Sequence, residues 1–552
     1  MALCDPEIWV EWRDKSHVHL GIPADLRTGW ISRDVAIAYN WLRSSLTKKQ
    51  RQRIVDGLDR MGIQPFLKSL PMNPQWMQRP TNWMTCVVGG MGICGMSLGR
   101  DHPAAAQLVH ISKPKMAAYL KIFGSEGEFN ESPGYAGSIM LVVKYYSALA
   151  CIESDEPNRL AAFPFPQAAK WIQHLALGPK RLAAFGDSHP DASPFVAHYA
   201  AVAAATNNPV IQGLAQHYRT DSQGYVAPDV YELIWFDPVL PAKKPGEEYP
   251  RYATFKAHAA CFSSRTDWKI SGPDCVVYGK AGREPHHAHP DAGQVCIDAH
   301  GSRLITDLGL PAGGYPADYF GRTRYEYYNA SVLGHNLLTL DDQEQPDTPS
   351  AGHYLSEGLL PNEAGVYWLF DLSACHPRAT RITRAVIHFL PGVIAVVDDA
   401  HARGTTTFRL RWHTIKPVKP TAAGVFKFTA GGASLSARMQ SHGRAKITFQ
   451  SGRHAYRAPY HCNRLGEKLT QRREPYVDAL SSGINARILS AFATGRSNAR
   501  LPAWTEEDGA LVFRHSGTGN YILRLDRLGL HYQTPKTEGI LDLSLMHRSS
   551  NA

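Results

Sequence analysis

Asp237-Pro238-Val239-Leu240-Pro241-Ala242-Lys243-Lys244-Pro245-Gly246-Glu247-Glu248-Tyr249-Pro250 is the stretch on which the reading of the fold turns. Proline has no amide hydrogen and biases the preceding residue away from helix, so four prolines in one short polar run mark a linker. The hydrophobic period differs on its two sides. Upstream, Arg33-Asp34-Val35-Ala36-Ile37-Ala38-Tyr39-Asn40-Trp41-Leu42 spaces apolar groups three and four apart, the period of an amphipathic helix. Thr47-Lys48-Lys49-Gln50 has the form of a capping box, and Ile54, Leu58 and Met61 continue the face behind it. Gly89, Gly92 and Gly95 lie in an apolar segment without the G-x-x-x-x-G-K-[ST] pattern or strand context of a phosphate loop, which predicts close helix packing. Further helices are predicted over 138–149 and 196–206.

Downstream the pattern turns to short β-type runs: Cys275–Gly279, Val386–Phe389, Val393–Asp398 and Phe408–Trp412. Pro391-Gly392 and Arg403-Gly404 are the turn signals expected to separate them. Many short strands at such spacing predict a β-sandwich. The chain therefore reads as an α+β multidomain protein, helical over 1–240 and an antiparallel β-sandwich over 241–552.

With 552 residues there is ample chain for more than one core. No stretch approaches the roughly 18 consecutive apolar residues of a membrane span, so no membrane partner is expected. Met1-Ala2-Leu3-Cys4-Asp5-Pro6-Glu7 shows no basic or apolar region of a signal peptide. That start implies a cytoplasmic protein if Met1 is native, and a periplasmic or secreted one if the N-terminus is truncated. Nine scattered cysteines without a C-x-x-C argue against a disulfide framework. The formal net charge of +10 favours a polyanionic partner. That partner could be nucleic acid or an acidic polysaccharide, and charge alone does not decide between them, although the basic residues form no run and no nucleic-acid motif is present, which counts against nucleic acid. The oligomeric state is open, a homodimer being one option.

The chemistry concentrates in Pro285-His286-His287-Ala288-His289-Pro290-Asp291-Ala292-Gly293. Asp307 follows in Ile305-Thr306-Asp307-Leu308-Gly309, and His335 in Leu333-Gly334-His335-Asn336. Imidazole and carboxylate together suit a zinc-like ion, and these spacings suit ligands gathered from neighbouring strands. If the segment is extended, His287 and His289 share one face, so that one holds a metal while the other works on a substrate.

These motifs resemble the heparinase II/III-like polysaccharide lyases, which join an (α/α) toroid to a β-sandwich and cut uronate-containing polymers by β-elimination. Arg33–Leu42 with Gln50–Ile54 is similar to an early toroid hairpin, and Thr81-Asn82-Trp83 with the glycine-rich helix to the next. Gly127-Glu128-Phe129-Asn130-Glu131-Ser132-Pro133-Gly134-Tyr135 resembles the family's active-site loop, and His287-x-His289-x-Asp291-Ala292-Gly293 with Asp307 and His335 its sandwich-side signature. The resemblance implies His287 as a catalytic group, with His289, Asp307 and His335 holding a structural zinc or similar divalent cation. It implies Asn130 as the donor that neutralises the substrate carboxylate, Glu131 as its orienting neighbour, and Asn82, Trp83 and Tyr135 as substrate-binding residues. The site is expected between the two halves.

The sequence departs from the family in two places. Similar lyases take a catalytic tyrosine from the toroid beyond the asparagine loop, where this chain reads Phe185-Gly186-Asp187-Ser188-His189-Pro190. His189 is one candidate for that role and Tyr325 another, in Arg322-Thr323-Arg324-Tyr325-Glu326-Tyr327-Tyr328, where Arg322 and Arg324 suit carboxylate or sulfate. The chain also has fewer residues ahead of Trp30 than its relatives, so the toroid is expected to be shorter and open or to lack its start. A polysaccharide lyase is the leading expectation. The competitors are a noncatalytic acidic-glycan-binding relative and a metal-dependent hydrolase using an activated water.

Overall fold

A computed structural model describes residues 1–153, 158–178, 181–218, 230–310, 315, 319–321, 323–346, 352–443, 446–455, 473–517 and 519–547. Helices occupy the chain up to Trp235. The predicted helix around Arg33–Leu42 runs over Leu26–Leu42, and the Thr47–Gln50 capping box closes reciprocally at the head of Lys48–Leu58. At the centre of this half lies the glycine-rich helix Gly90–Leu98, buried on almost every side between Leu26–Leu42, Ala105–Tyr119 and Gly137–Ile152. A Cβ on Gly92 would stand 2.3 Å from Ser112 Oγ and 2.7 Å from the Tyr145 ring, so only glycine admits this approach. Phosphate binding has no part in it.

Pro133–Ile152 is long and apolar enough to cross a membrane by length and composition, with a mean hydropathy of 1.4, a point the search for unbroken apolar runs missed. In the structure its Ile139, Val142, Val143 and Tyr145 are buried in the helical core. A short hairpin, β1 (Ala176–Gly178) with β2 (Arg181–Leu182), ends the helix Phe165–Leu175.

Beyond the linker, among the described residues, the strands form three antiparallel sheets. The first holds β3 (Tyr252–Thr254), β4 (Cys261–Arg265), β5 (Val276–Lys280), β6 (Val295–Ala299) and β7 (Ser302–Ile305), in that order. The second is built on β9 (His353–Leu359), β10 (Gly365–Asp371), β11 (Ala379–Phe389), β12 (Val393–His413), β13 (Val425–Ala430), β14 (Ala433–Ser441) and β16 (Arg473–Arg496). These run β13-β14-β16-β12-β11-β10-β9, with β8 (Leu338–Leu340) added to β12 and β15 (Ile447–Ala455) to β16. The third holds β17 (Thr505–Glu507), β18 (Ala510–His515), β19 (Gly519–Leu525), β20 (Gly529–Gln533) and β21 (Glu538–Asp542).

Strand alternation assigns successive side chains to different cores. On β5, Val277 joins Trp368, Phe370 and Val396 of the large sheet, whereas Val276 and Tyr278 face the helical core. On the large sheet, Val386 and Val396 face the first sheet, and Ile387 and Val397 pack with Leu511, Phe513 and Leu523 of the third. Each such residue gains about 1.5–3 kcal/mol by leaving water. The β half is thus a sandwich of the first and large sheets, with the third sheet stacked on the outer face of the large one.

Two predicted details differ. Arg403-Gly404 does not separate strands: β12 runs through it, absorbing it as a register shift against β16 between His401 and Thr406. A bulge holds the extra residues without ending the strand. Segment 285–290 is not an extended strand either, because His287 has φ +53°. All eight described cysteines are unbonded.

Buried charges join the halves. Arg265 Nη2 donates to the His174 carbonyl at 2.6 Å, at the carbonyl end of Phe165–Leu175, and its guanidinium stacks 4.1 Å from Trp268. Arg303 Nη2 donates to the Leu182 carbonyl at 2.8 Å, and Glu128 Oε1 accepts from the Ala257 amide at 3.1 Å.

Candidate active site

The loop before Pro133 and the loop after β2 bring acids from the helical half to the histidines of the β half. Glu131 forms an isolated parallel bridge with His286. The Asp187 amide donates to the His287 carbonyl at 2.9 Å. Gly186 makes this possible, since its φ is +56° and a Cβ would stand 2.3 Å from that carbonyl oxygen.

Asp187 is the centre of the site, and sequence reasoning gave it no role. Its buried carboxylate lies 2.9 Å from His287 Nδ1 and 3.0 Å from His289 Nε2. It also accepts from the Tyr319 hydroxyl at 2.9 Å and from Arg324 Nη2, 3.0 Å from both oxygens. Burial would raise its pKa, but the hydrogen bonds from His287 and His289 and the Arg324 charge outweigh burial and hold it well below the usual carboxylate range. The signal available in sequence was the absence of a tyrosine from the region 185–190, which holds this carboxylate.

With Asp187 on Nδ1, His287 turns Nε2 toward Glu131 Oε2, 3.8 Å away. The His287 ring stacks on Tyr135 at 3.7 Å between centroids, and its side chain stays 18% exposed, leaving an edge open to a ligand. The Tyr135 hydroxyl is hydrogen bonded to that of Tyr315, and burial raises both phenols, so both are neutral. Glu131 is fully buried: Oε1 accepts from the Asn82 amide at 2.8 Å, and Oε2 has no hydrogen-bond partner. The adjacent Asn130 is buried with its Oδ1 also unpartnered.

Other candidates make the following contacts. His189 is half-buried in the next turn, where Nδ1 accepts from the Asp191 amide at 3.3 Å. The Tyr325 hydroxyl accepts from Arg283 Nη2 at 2.6 Å, and Trp83 packs 4.9 Å from the His17 ring. Arg322 lies outside the described residues. His287 and His289 do not share a strand face; their rings reach opposite oxygens of one carboxylate.

Beneath the histidines, the ligand atoms of Asp291, Asp307 and His335, all buried, lie within 4.8 Å of one another. His335 Nδ1 is 3.3 Å from Asp307 Oδ2. The His289 ring is 5.3 Å from that of His335, and its buried Nδ1 has no hydrogen-bond partner. Two carboxylates and an imidazole around one point, beside a second imidazole nitrogen without a partner, suit a zinc-like ion. Asp291, given no ligand role in the sequence, is the third member of this group. Its Oδ1 also forms an ion pair at 2.7 Å with the fully buried Lys280 Nζ, which is paired in turn with Glu284.

Burial raises the Glu131 carboxyl above its ordinary value, against the opposing pull of His287 and the Asn82 amide. A carboxyl raised on folding favours the folded state in acid: its contribution is complete below the ordinary glutamate range and is lost as pH rises through the raised value. Glu131→Gln keeps an acceptor for the Asn82 amide and should flatten this part of the stability profile. Thermal unfolding of both proteins from pH about 4 to about 9 measures it; parallel profiles would remove the assignment.

Residues 274–479 match the family model described as Heparinase II/III-like, C-terminal. The whole fold is similar to a crystal structure of heparinase III, with a TM-score of 0.64 and 12% identity, over 94% of this chain and 74% of that one. It is similar also to heparan sulfate lyase HepC from Pedobacter heparinus, with a TM-score of 0.62 and 14% identity, over 94% and 75% of the two chains. These are lyases that join a helical toroid to a β-sandwich, and the helical half and antiparallel sheets described above follow the same plan. No curated protein sequence matches the chain.

Proposed function

For a chain with a heparinase II/III-like C-terminal region on a toroid-and-sandwich fold, we propose a polysaccharide lyase that cleaves a uronate-containing acidic polysaccharide by β-elimination. The observation that carries this reading is the pairing of His287 with Asp187 opposite Glu131 and Asn130. Asp187 holds the proton on His287 Nδ1, which leaves the Nε2 lone pair as the base for the uronate C5 proton. As that proton leaves, negative charge grows on the substrate carboxylate. Asn130, through its amide, is the donor that stabilises it, with the buried Glu131 beside it. Tyr135, a neutral phenol stacked on His287, protonates the departing glycosidic oxygen. Arg324 neutralises Asp187 and fixes its orientation.

Asp307, His335 and Asp291, with His289 at their edge, would hold a zinc or similar divalent ion. The ion would supply fixed positive charge that ties these loops together, and none of the steps above passes through it.

The test is incubation with heparan sulfate, chondroitin sulfate, hyaluronan, alginate and glucuronan, following the ultraviolet absorbance of the unsaturated uronate. His287→Ala should lower turnover by about 10² or more with melting temperature nearly unchanged. Full activity in that variant would take His287 out of the mechanism. The Asp291, Asp307 and His335 cluster favours one second reading, a metal-dependent hydrolase. That reading requires a product without the double bond and loss of turnover with chelator.

A further inference from the structure

A cleft of about 1140 Å³ opens on the β half, where the bulged region of β12 and β16 meets the loop joining β19 to β20. It shares no residue with the site above. At its base, Asp399 of β12 stands opposite Arg487 of β16, and Arg381 of β11 stands opposite His401, diagonal to Asp399. Arg487 is 9% exposed; its Nη1 donates to the Arg527 carbonyl at 3.0 Å, and its Nε faces Asp399 Oδ2 at 3.3 Å. Its buried Nη2 has no hydrogen-bond partner. Arg381 Nη2 donates to the other oxygen of Asp399 at 3.0 Å. Two guanidinium groups thus share one carboxylate, and the floor keeps an excess positive charge. The second acid in the cleft, Asp526, is satisfied by its own turn, accepting from the Leu528 and Gly529 amides at 2.8 and 2.9 Å.

We propose that this cleft is a noncatalytic binding site for an acidic oligosaccharide, with Arg487 and Arg381 taking a sugar carboxylate or sulfate. A guanidinium fork matches either planar or tetrahedral oxyanions and meets them with charge-assisted hydrogen bonds. Leaving a buried donor unmade costs about 1–3 kcal/mol, which an arriving anion relieves at Arg487 Nη2. Around the floor, Ser482 and Asn485 offer polar groups to sugar hydroxyls. On the rim, Ile484 and Leu528 are 48% and 66% exposed and give apolar surface to a sugar ring face. The volume exceeds that of ordinary small-ligand pockets, about 300–1000 Å³, and so suits several linked sugars. Both acids are engaged in these contacts, and the imidazoles of His401 and His442 also line the cleft. The inference rests on these residues alone and not on the lyase reading, which uses none of them.

The test is calorimetric titration of the full chain in a His287→Ala background, so that no probe is consumed. The probes are hexasaccharides of heparan sulfate and of alginate, with neutral maltohexaose and sodium sulfate as controls. Arg487→Ala should remove one binding equivalent or weaken it by about ten-fold or more. Leu528→Glu, a change at an exposed rim position that leaves the fold undisturbed, should weaken it in the same direction through charge repulsion. The proposal is overturned if both variants bind the acidic hexasaccharides as the parent does. It is equally overturned if maltohexaose binds as well, or if sulfate alone binds as tightly as the hexasaccharides, which would mark a simple anion site. Loss of cleavage in His287→Ala is scored separately, so failure of either reading leaves the other standing.

Discussion

Asp187→Ala should give the largest combined loss of any single change: turnover down by about 10²–10⁴-fold and a clear fall in melting temperature. Two effects add. His287 loses the acceptor that fixes its tautomer, and the Arg324 guanidinium loses the carboxylate it meets at 3.0 Å from both oxygens. Removing one partner of a buried charge pair costs about 3–5 kcal/mol. Asp187→Asn separates the two, because an amide keeps the shape and removes the charge. It should recover part of the packing and little of the activity, since an amide can also donate and so admits the wrong tautomer. Cleavage assays and thermal unfolding of both variants decide it. An Asp187→Ala protein with parental activity and melting temperature would show that the convergence on this carboxylate has no consequence.

Lys280→Met should be the most destabilising change away from the reacting groups. Lys280 is fully buried, 2.7 Å from Asp291 and paired also with Glu284, itself buried. Burial alone would lower the Lys280 pKa, but the two carboxylates raise it above its ordinary value, so the ammonium is the charge that allows both acids to stay inside. Its loss leaves the two carboxylates facing each other without a cation, for about 3–5 kcal/mol in denaturant unfolding. Lys280→Met with Glu284→Gln should recover part of that loss by removing one surplus charge. A single variant as stable as the parent would mean that the cluster is already neutral.

Local features were legible in the sequence wherever neighbours along the chain set them. The period change across Asp237–Pro250, the Thr47–Gln50 cap and the close helix contact at Gly92 follow from spacing and side-chain size over a few residues. Asp307 and His335 stood out because their residue types are uncommon inside an apolar frame. Asp187 did not, because its partners are 100 to 137 residues further along the chain and no local pattern encodes that meeting. The third sheet was missed for a related reason: alternation on β11 and β12 reads the same whether one face or both are covered. The Arg403-Gly404 pair looks like a turn locally, yet flanking pairing with β16 on both sides carries the strand through it.

The first sheet, with Tyr278 in one core and Val277 in the other, makes the linker a poor guide to how the molecule comes apart. Neither half could retain its structure once the other had melted. The helical half would lose the lid formed by β5, and Arg265 and Arg303 would be left with charges aimed at vanished carbonyls. Heat or denaturant should therefore meet one cooperative unit, with the amides of β5 among the slowest to exchange. A protease nick in 237–250 would cut the chain at a seam visible only in sequence, leaving two fragments that stay associated and unfold together.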